Sequence, residues 1–309
     1  MPKTALLFAG QGAQSVGMGR DLAEAYPSAK ALFDRANSVL GYDLASVCFN
    51  GPEAELTKTE NAQPAILLVS WIAFELLKQS APSLVFHATA GLSLGEFTAL
   101  AAAGVISFED CLKIVRARGQ FMQQACEVTH GSMAAIIGLD EAPTREVCRE
   151  SGVELANLNC PGQIVISGER DKVVHACELA KSRGAKRALP LTVAGAYHSK
   201  LMAGAQPKLR SALAGVPMRS PSVPVVSNVT ARPHGQPPDI VSLLVDQVTS
   251  AVRWEESIRY LLSEGFTRFI ELGPGTALTG FMKRIDKGAQ ALNVLDLRSL
   301  EATVKALEA

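Results

Sequence analysis

The sequence predicts an α/β fold: a parallel sheet wrapped by helices, interrupted by a small unit of its own. Two observations carry this. Short apolar runs ending in glycine turns alternate with segments of helical apolar spacing, the pattern of β-α-β units. Between residues 132 and 191 the order changes to β-α-β-β-α-β, the split β-α-β or ferredoxin-like unit. The expected division is therefore a large domain of residues 1–127 and 194–309 and a small inserted domain of residues 128–193. A chain of 309 residues has ample length for such a core.

Taken in order, ALLFA (5–9) reads as a buried strand that ends at Gly10-Gln11-Gly12. RDLAEAY and the stretch from Ser28 to Leu40 have helical spacing, and AILLVSWIAFELL (65–77) reads as a buried helix. SLVFHAT (83–89) is a second buried strand, followed by a helix from Leu94 to Ala103. Ser107 caps a long helix, with Asp110 in the capping-box position and its end near Cys126. In the insert, SMAAIIG (132–138), VELANLN (153–159), QIVISG (163–168) and AKRALPL (185–191) are strands. APTREVCRES (142–151) and RDKVVHACELAKS (170–182) are its helices. After it come a helix over Ser199–Leu213, a strand at 223–228, a helix over Glu255–Ser263 and a strand at 267–272 before Gly273-Pro274-Gly275. A strand at 292–297 and a helix over Leu300–Leu307 close the chain.

Composition narrows the function. Lys+Arg and Asp+Glu are both 30, so the formal net charge is zero and a nucleic-acid binder is not expected. The six cysteines form no C-x-x-C pair, which argues against a zinc site; they read as reduced and mostly buried, as in the cytoplasm. MPKTALLFAGQG lacks the long apolar region of a signal peptide, and the 65–77 run is too short to span a bilayer.

Chemistry is expected at Ser93. It lies between Gly91 and Gly95 at G-x-S-x-G spacing, after a strand and before a helix, the context of a nucleophile elbow. The free N–H groups of the helix that begins at Leu94 would face charge developing beside the serine. A plain Gly-Ser turn is the alternative that the residues alone leave open. A serine nucleophile needs a base, and there are five histidines. His87 falls in a strand pattern, His130 and His175 belong to the insert, and His234 in RPHGQPP reads as solvated. His198, in VAGAYHSKLM, follows a glycine turn at the return from the insert, where an interdomain cleft would lie, and is the favoured base.

Seven ordered stretches resemble the malonyl-CoA:acyl carrier protein transacylases: GQGAQSVGMG (10–19), QPAILLVS (63–70), GLSLGEFTAL (91–100), RARGQFMQQA (116–125), NLNCPGQIVISG (157–168), GAYHSKLM (195–202) and ELGPGTALTG (271–280). The resemblance covers essentially the whole chain. It implies an α/β-hydrolase-like core with a ferredoxin-like insert. It makes Ser93 the nucleophile and His198 the base, with the main-chain carbonyl of Gln247 orienting the imidazole. The backbone N–H groups of Gln11 and Leu94 would form the oxyanion hole, Arg118 would pair with the malonyl carboxylate, and Gln63 would line the pocket. Leu92 departs from the histidine that many members carry before the serine.

The resemblance further implies malonyl-CoA and acyl carrier protein as partners in a ping-pong transfer for fatty acid synthesis. Coenzyme A is then a substrate, and no metal, cofactor or membrane is involved. A cytoplasmic monomer is expected. Lys181, Arg183, Lys186 and Arg187 would be a basic docking patch, or simply a solvated face. The rival readings are an acyltransferase serving a polyketide assembly line, a hydrolase of the same fold and a non-catalytic carrier-protein binding module.

Overall fold

The computed structural model describes residues 2–308. Five strands form a parallel sheet: β1 (Lys3–Phe8), β2 (Ala88–Gly91), β7 (Val225–Val226), β8 (Phe266–Leu272) and β9 (Gln290–Val294), in the order β7-β2-β1-β8-β9. Its central strands are buried on both faces, which is why β1 reads as an unbroken apolar run rather than an alternating one. Phe8 pairs with both Gly91 and Leu272, so β1, β2 and β8 end together. The turns that follow them, at Gly10, Ser93 and Gly273, therefore crowd one edge. Ligands of open α/β sheets bind at this carboxyl edge.

The second sheet holds β3 (Gly131–Ile137), β4 (Glu154–Cys160), β5 (Gln163–Glu169) and β6 (Arg187–Pro190), all antiparallel, in the order β4-β5-β3-β6. Counted within the unit this is 2-3-1-4, the strand order of the split β-α-β fold. Strand alternation gives its faces different tasks. Ala134, Ile136 and Ile166 pack under the helices Glu141–Ser151 and Arg170–Ser182. Met133, Ala135 and Val165 face a cleft against the large sheet. Backbone bonds tie the two parts together: Leu158 N–H donates to Val252 C=O at 2.9 Å and Val252 N–H to Ala156 C=O at 2.8 Å.

Several expected boundaries move. The strand at 83–89 becomes Ala88–Gly91; at His87 the N–H still donates to Thr4 C=O at 2.8 Å, while the Thr4 N–H donates to the imidazole Nδ1 at 3.2 Å. The helix over 199–213 divides into a 3-10 turn (Lys200–Ala205) and an α-helix (Gln206–Ala214), with Pro207 at the start of the second, where its missing N–H costs least. The strand at 223–228 shrinks to β7, the one at 292–297 ends at Val294, and the last helix is Leu297–Glu308. Four helices were not expected: Leu44–Asn50, Glu53–Leu56, Pro237–Asp246 and Ala277–Ile285. All six cysteines are free and buried. Among the described residues no helix is long and apolar enough to cross a membrane.

Candidate active site

Ser93 sits at φ 53°, ψ −103°, a strained backbone for a residue with a side chain. The flanking glycines make that turn possible. A Cβ on Gly91 would lie 1.9 Å from the Gly95 carbonyl carbon, and one on Gly95 would lie 2.2 Å from the Phe8 carbonyl oxygen. The spacing of the motif is thus a packing requirement where the helix Leu94–Ala102 crosses the strand ends. The turn is also clamped: the Ser93 N–H donates to Asn228 Oδ1 at 2.6 Å, and Asn228 Nδ2 donates to Gly91 C=O at 2.8 Å.

His198 is brought to Ser93 from the far side of the insert and adopts a positive φ of 58°. Its Nδ1 lies 2.9 Å from the Gln247 carbonyl and 3.2 Å from that of Ser250. Carbonyls only accept, so Nδ1 carries the proton and Nε2 presents its lone pair. Nε2 is 2.9 Å from Ser93 Oγ, whose O–H donates to it. Burial, reinforced by the Arg118 charge, pushes the imidazole down to about 4, so His198 rests as a neutral acceptor near pH 7. The Gln247 and Ser250 carbonyls act in the opposite direction.

Arg118 comes from the helix Phe108–Glu127 and is 1% exposed. Its neighbour Gly119 lets that helix approach closely: a Cβ there would lie 2.6 Å from the Thr59 carbonyl oxygen on the helix Thr59–Ser80. That contact places Gln63 against the guanidinium. Arg118 Nη1 donates to Gln63 Oε1 at 2.8 Å, and Nη2 donates to Gln247 Oε1 at 3.0 Å and to Ser93 Oγ at 3.1 Å. Three of the five guanidinium N–H groups are thereby used; the buried Nε–H has no partner. Burial lowers the guanidinium to about 10, which still leaves it charged, and nearby Glu96 works against the shift.

Gln11, Ser93 and His198 line a cleft of about 980 Å³ between the two sheets, and Leu92 lines it as well. The Gln11 and Leu94 N–H groups donate to no protein acceptor among the described residues. A Cβ on Gly10 would lie 2.5 Å from the Leu92 carbonyl oxygen, so the two turns touch. Ser93, His198, Arg118, Gln63 and Gln247 are thus in one connected cluster, with Gln11 and Leu94 on the turns beside it. No group of three or more His, Cys, Asp or Glu converges as a metal site among the described residues.

Two features were missed. His234 is buried rather than solvated, with Nε2 2.7 Å from Glu96 Oε1. Glu96, fully buried, also accepts from Asn228 N–H at 2.9 Å and from Gln247 Nε2 at 2.8 Å. These partners lie 132 to 151 residues from Glu96 along the chain, so no local spacing announces them. In the basic stretch, Arg183 is held by Glu150 at 2.5 Å, while Lys181, Lys186 and Arg187 are exposed.

The family model of the acyl transferase domain matches residues 5–298. A malonyl CoA-acyl carrier protein transacylase of Bacillus subtilis is 47% identical over 313 residues, covering 100% of this chain and 98% of its own. The protein of that name from Escherichia coli K12 is 41% identical over 315 residues, covering 100% of each chain. An acyl-carrier-protein S-malonyltransferase from Bartonella henselae has a similar structure, with TM-score 0.94 and 41% identity over 99% of this chain and 100% of that one. A malonyl-transacylase solved in complex with a type II polyketide-synthase acyl-carrier protein gives TM-score 0.95 and 40% identity over 98% and 99%.

Proposed function

The chain belongs to the acyl transferase family, and from that premise we propose that it moves malonyl from malonyl-CoA to the phosphopantetheine thiol of acyl carrier protein, for fatty acid synthesis. The observation that carries the substrate choice is the buried Arg118 guanidinium, whose Nη2 lies 3.1 Å from Ser93 Oγ. A carboxylate is the strongest partner for a guanidinium, and here it would take over N–H bonds that Arg118 now makes to neutral side chains. Malonyl carries that carboxylate; acetyl does not.

Ser93 Oγ attacks the thioester carbon while its proton passes to His198 Nε2. The carbonyl oxygen becomes an oxyanion between the N–H groups of Gln11 and Leu94; one such donor is worth about 3 kcal/mol in a serine protease. Collapse breaks the C–S bond, and the departing thiolate takes the proton from His198. The pantetheine thiol then returns a proton to His198 and attacks the ester, and Ser93 leaves with that proton. Arg118 also donates to Ser93 Oγ, which favours the alkoxide as it forms. No metal or cofactor enters these steps, and coenzyme A is a substrate. The reading has the chain act as a cytoplasmic monomer.

The polyketide alternative shares every site feature, and none of them favours it. Hydrolysis and simple carrier binding are separated from transfer by one experiment. The purified chain is mixed with malonyl-CoA and holo-acyl carrier protein, and malonyl-carrier and free malonate are both quantified. Stoichiometric malonyl-carrier supports transfer; malonate alone would mean a hydrolase, and neither product would mean a binding module.

A further inference from the structure

Beneath the nucleophile lies a carboxylate that the transfer steps do not use. Glu96 is on the first turn of the helix that starts at Leu94 and is fully buried. Its Oε2 accepts from Asn228 N–H and Gln247 Nε2, and its Oε1 from His234 Nε2. Two of these partners reach different parts of the site. Asn228 clamps the Ser93 turn through Oδ1 and Nδ2. Gln247 offers its main-chain carbonyl to His198 and its Oε1 to Arg118.

The donor and acceptor inventory makes the carboxylate decisive. A carboxylate only accepts and a guanidinium only donates. Between Glu96 and Arg118, the Gln247 amide has one orientation that satisfies both: Nε2 to the carboxylate, Oε1 to the guanidinium. In that orientation Nε2 also donates to Ser93 C=O at 3.0 Å. His234 Nδ1 has no partner among the described residues, and Nε2 is the nitrogen that donates to the carboxylate. We propose that Glu96 is a positioning residue for acyl transfer: a single buried carboxylate sets the base, the guanidinium and the nucleophile together through Gln247 and Asn228.

Glu96→Gln keeps the volume and turns one terminal atom into a donor. Facing Asn228 and Gln247, that donor meets two N–H groups. Facing His234, it forces the imidazole proton onto the partnerless Nδ1. The first arrangement breaks a bond of the hub, the second leaves a buried N–H without an acceptor, and both remove the carboxylate charge. Glu96→Asp keeps the charge but withdraws it by one methylene from the Gln247 amide.

The inference rests on the acyl-transfer reading, and the experiment separates the two. The single-turnover rate constant for malonylation of Ser93 is measured by rapid quench and intact mass in wild type, Glu96→Gln and Glu96→Asp, alongside KM and thermal melting. Both variants are expected to acylate about 10- to 100-fold more slowly, as misplacement of reacting groups by fractions of an ångström to an ångström does. KM for acetyl-CoA should change by less than about threefold, since that loss falls on the chemical step. Malonyl should suffer more than acetyl, because Arg118 holds only malonyl. The rate constant describes the active molecules alone and the amplitude their fraction, so a lowered melting temperature alone cannot produce the result. A folded variant with the wild-type rate constant would overturn the proposal, as would failure of both variants to fold, which would make Glu96 structural. A wild type that forms no adduct would instead overturn acyl transfer itself.

Discussion

Arg118→Ala should change which thioester the protein accepts. In the wild type the guanidinium sits 3.1 Å from the nucleophilic oxygen and is held by Gln63 and Gln247. Truncating one member of a buried charged pair costs about 2–5 kcal/mol. At 1.36 kcal/mol per tenfold, kcat/KM for malonyl-CoA should fall by roughly 30- to 5,000-fold. Acetyl-CoA makes no such pair and faces an uncompensated guanidinium in the wild type, so its kcat/KM should fall far less, or rise. The substitution also strands the Oε1 atoms of Gln63 and Gln247, at about 1–3 kcal/mol each, so melting should be lowered and the rates must be normalised to folded protein. Arg116→Ala is the control. Its guanidinium lies 4.3 Å from the Tyr42 ring centroid and donates to Leu40 C=O at 2.6 Å, on another face of the helix. It should leave the malonyl-to-acetyl ratio unchanged. Steady-state kinetics with both thioesters in the three proteins decide the matter: equal loss of both activities in Arg118→Ala would refute the assigned role.

Three further outcomes are expected. His198, held down to about 4, should give an acylation rate that is flat from pH 8 to pH 6 and declines only as pH falls through about 4; a half-loss near 6.5 would contradict its burial. The unfolded chain binds that proton at higher pH than the folded one, so the stability His198 contributes is intact above about 6.5 and drains away toward pH 4, which urea melts at several pH values would register. Gly91→Ala should destabilise by more than about 4 kcal/mol or prevent folding, because its Cβ overlaps the Gly95 backbone; a melt within a few degrees of wild type would contradict the packing argument.

Much of this was legible where a signal is local. Ser107 caps the helix Phe108–Glu127, accepting from the Asp110 N–H at 3.1 Å as the spacing implied. The helix Arg170–Ser182 has the ends its periodicity gives. Ser93 could be picked out because two glycines mark a turn that only small residues fit. Other signals were present but masked by their neighbours. The helix Pro237–Asp246 starts inside a loop-like Pro/Gly stretch, with Pro237 in its first turn and Asp239 Oδ2 accepting from the Gln236 N–H at 3.2 Å. The helix Ala277–Ile285 is capped from β8, where Glu271 accepts from the Leu278 and Thr279 N–H groups at 3.0 and 2.7 Å. Such a cap depends on the tertiary fold and leaves no box in the sequence. The Glu96 hub is the extreme case: its order exists only once β2, β7 and the 247 turn meet. His234 looked solvated because its loop is rich in Pro and Gly, yet it is buried against the Glu96 carboxylate.

The central claim is that Ser93 carries malonyl between two thiols, and intact mass tests it most directly. Wild type, Ser93→Ala and His198→Ala are mixed with malonyl-CoA, weighed, digested to locate any adduct, and weighed again after holo-acyl carrier protein is added. The account predicts a single malonyl adduct on Ser93 in the wild type that disappears as malonyl-carrier appears. It predicts none in Ser93→Ala, and formation slowed by orders of magnitude in His198→Ala, whose serine lacks the acceptor now 2.9 Å away. An adduct on another residue, an adduct that persists with carrier present, or normal acylation without His198 would contradict it.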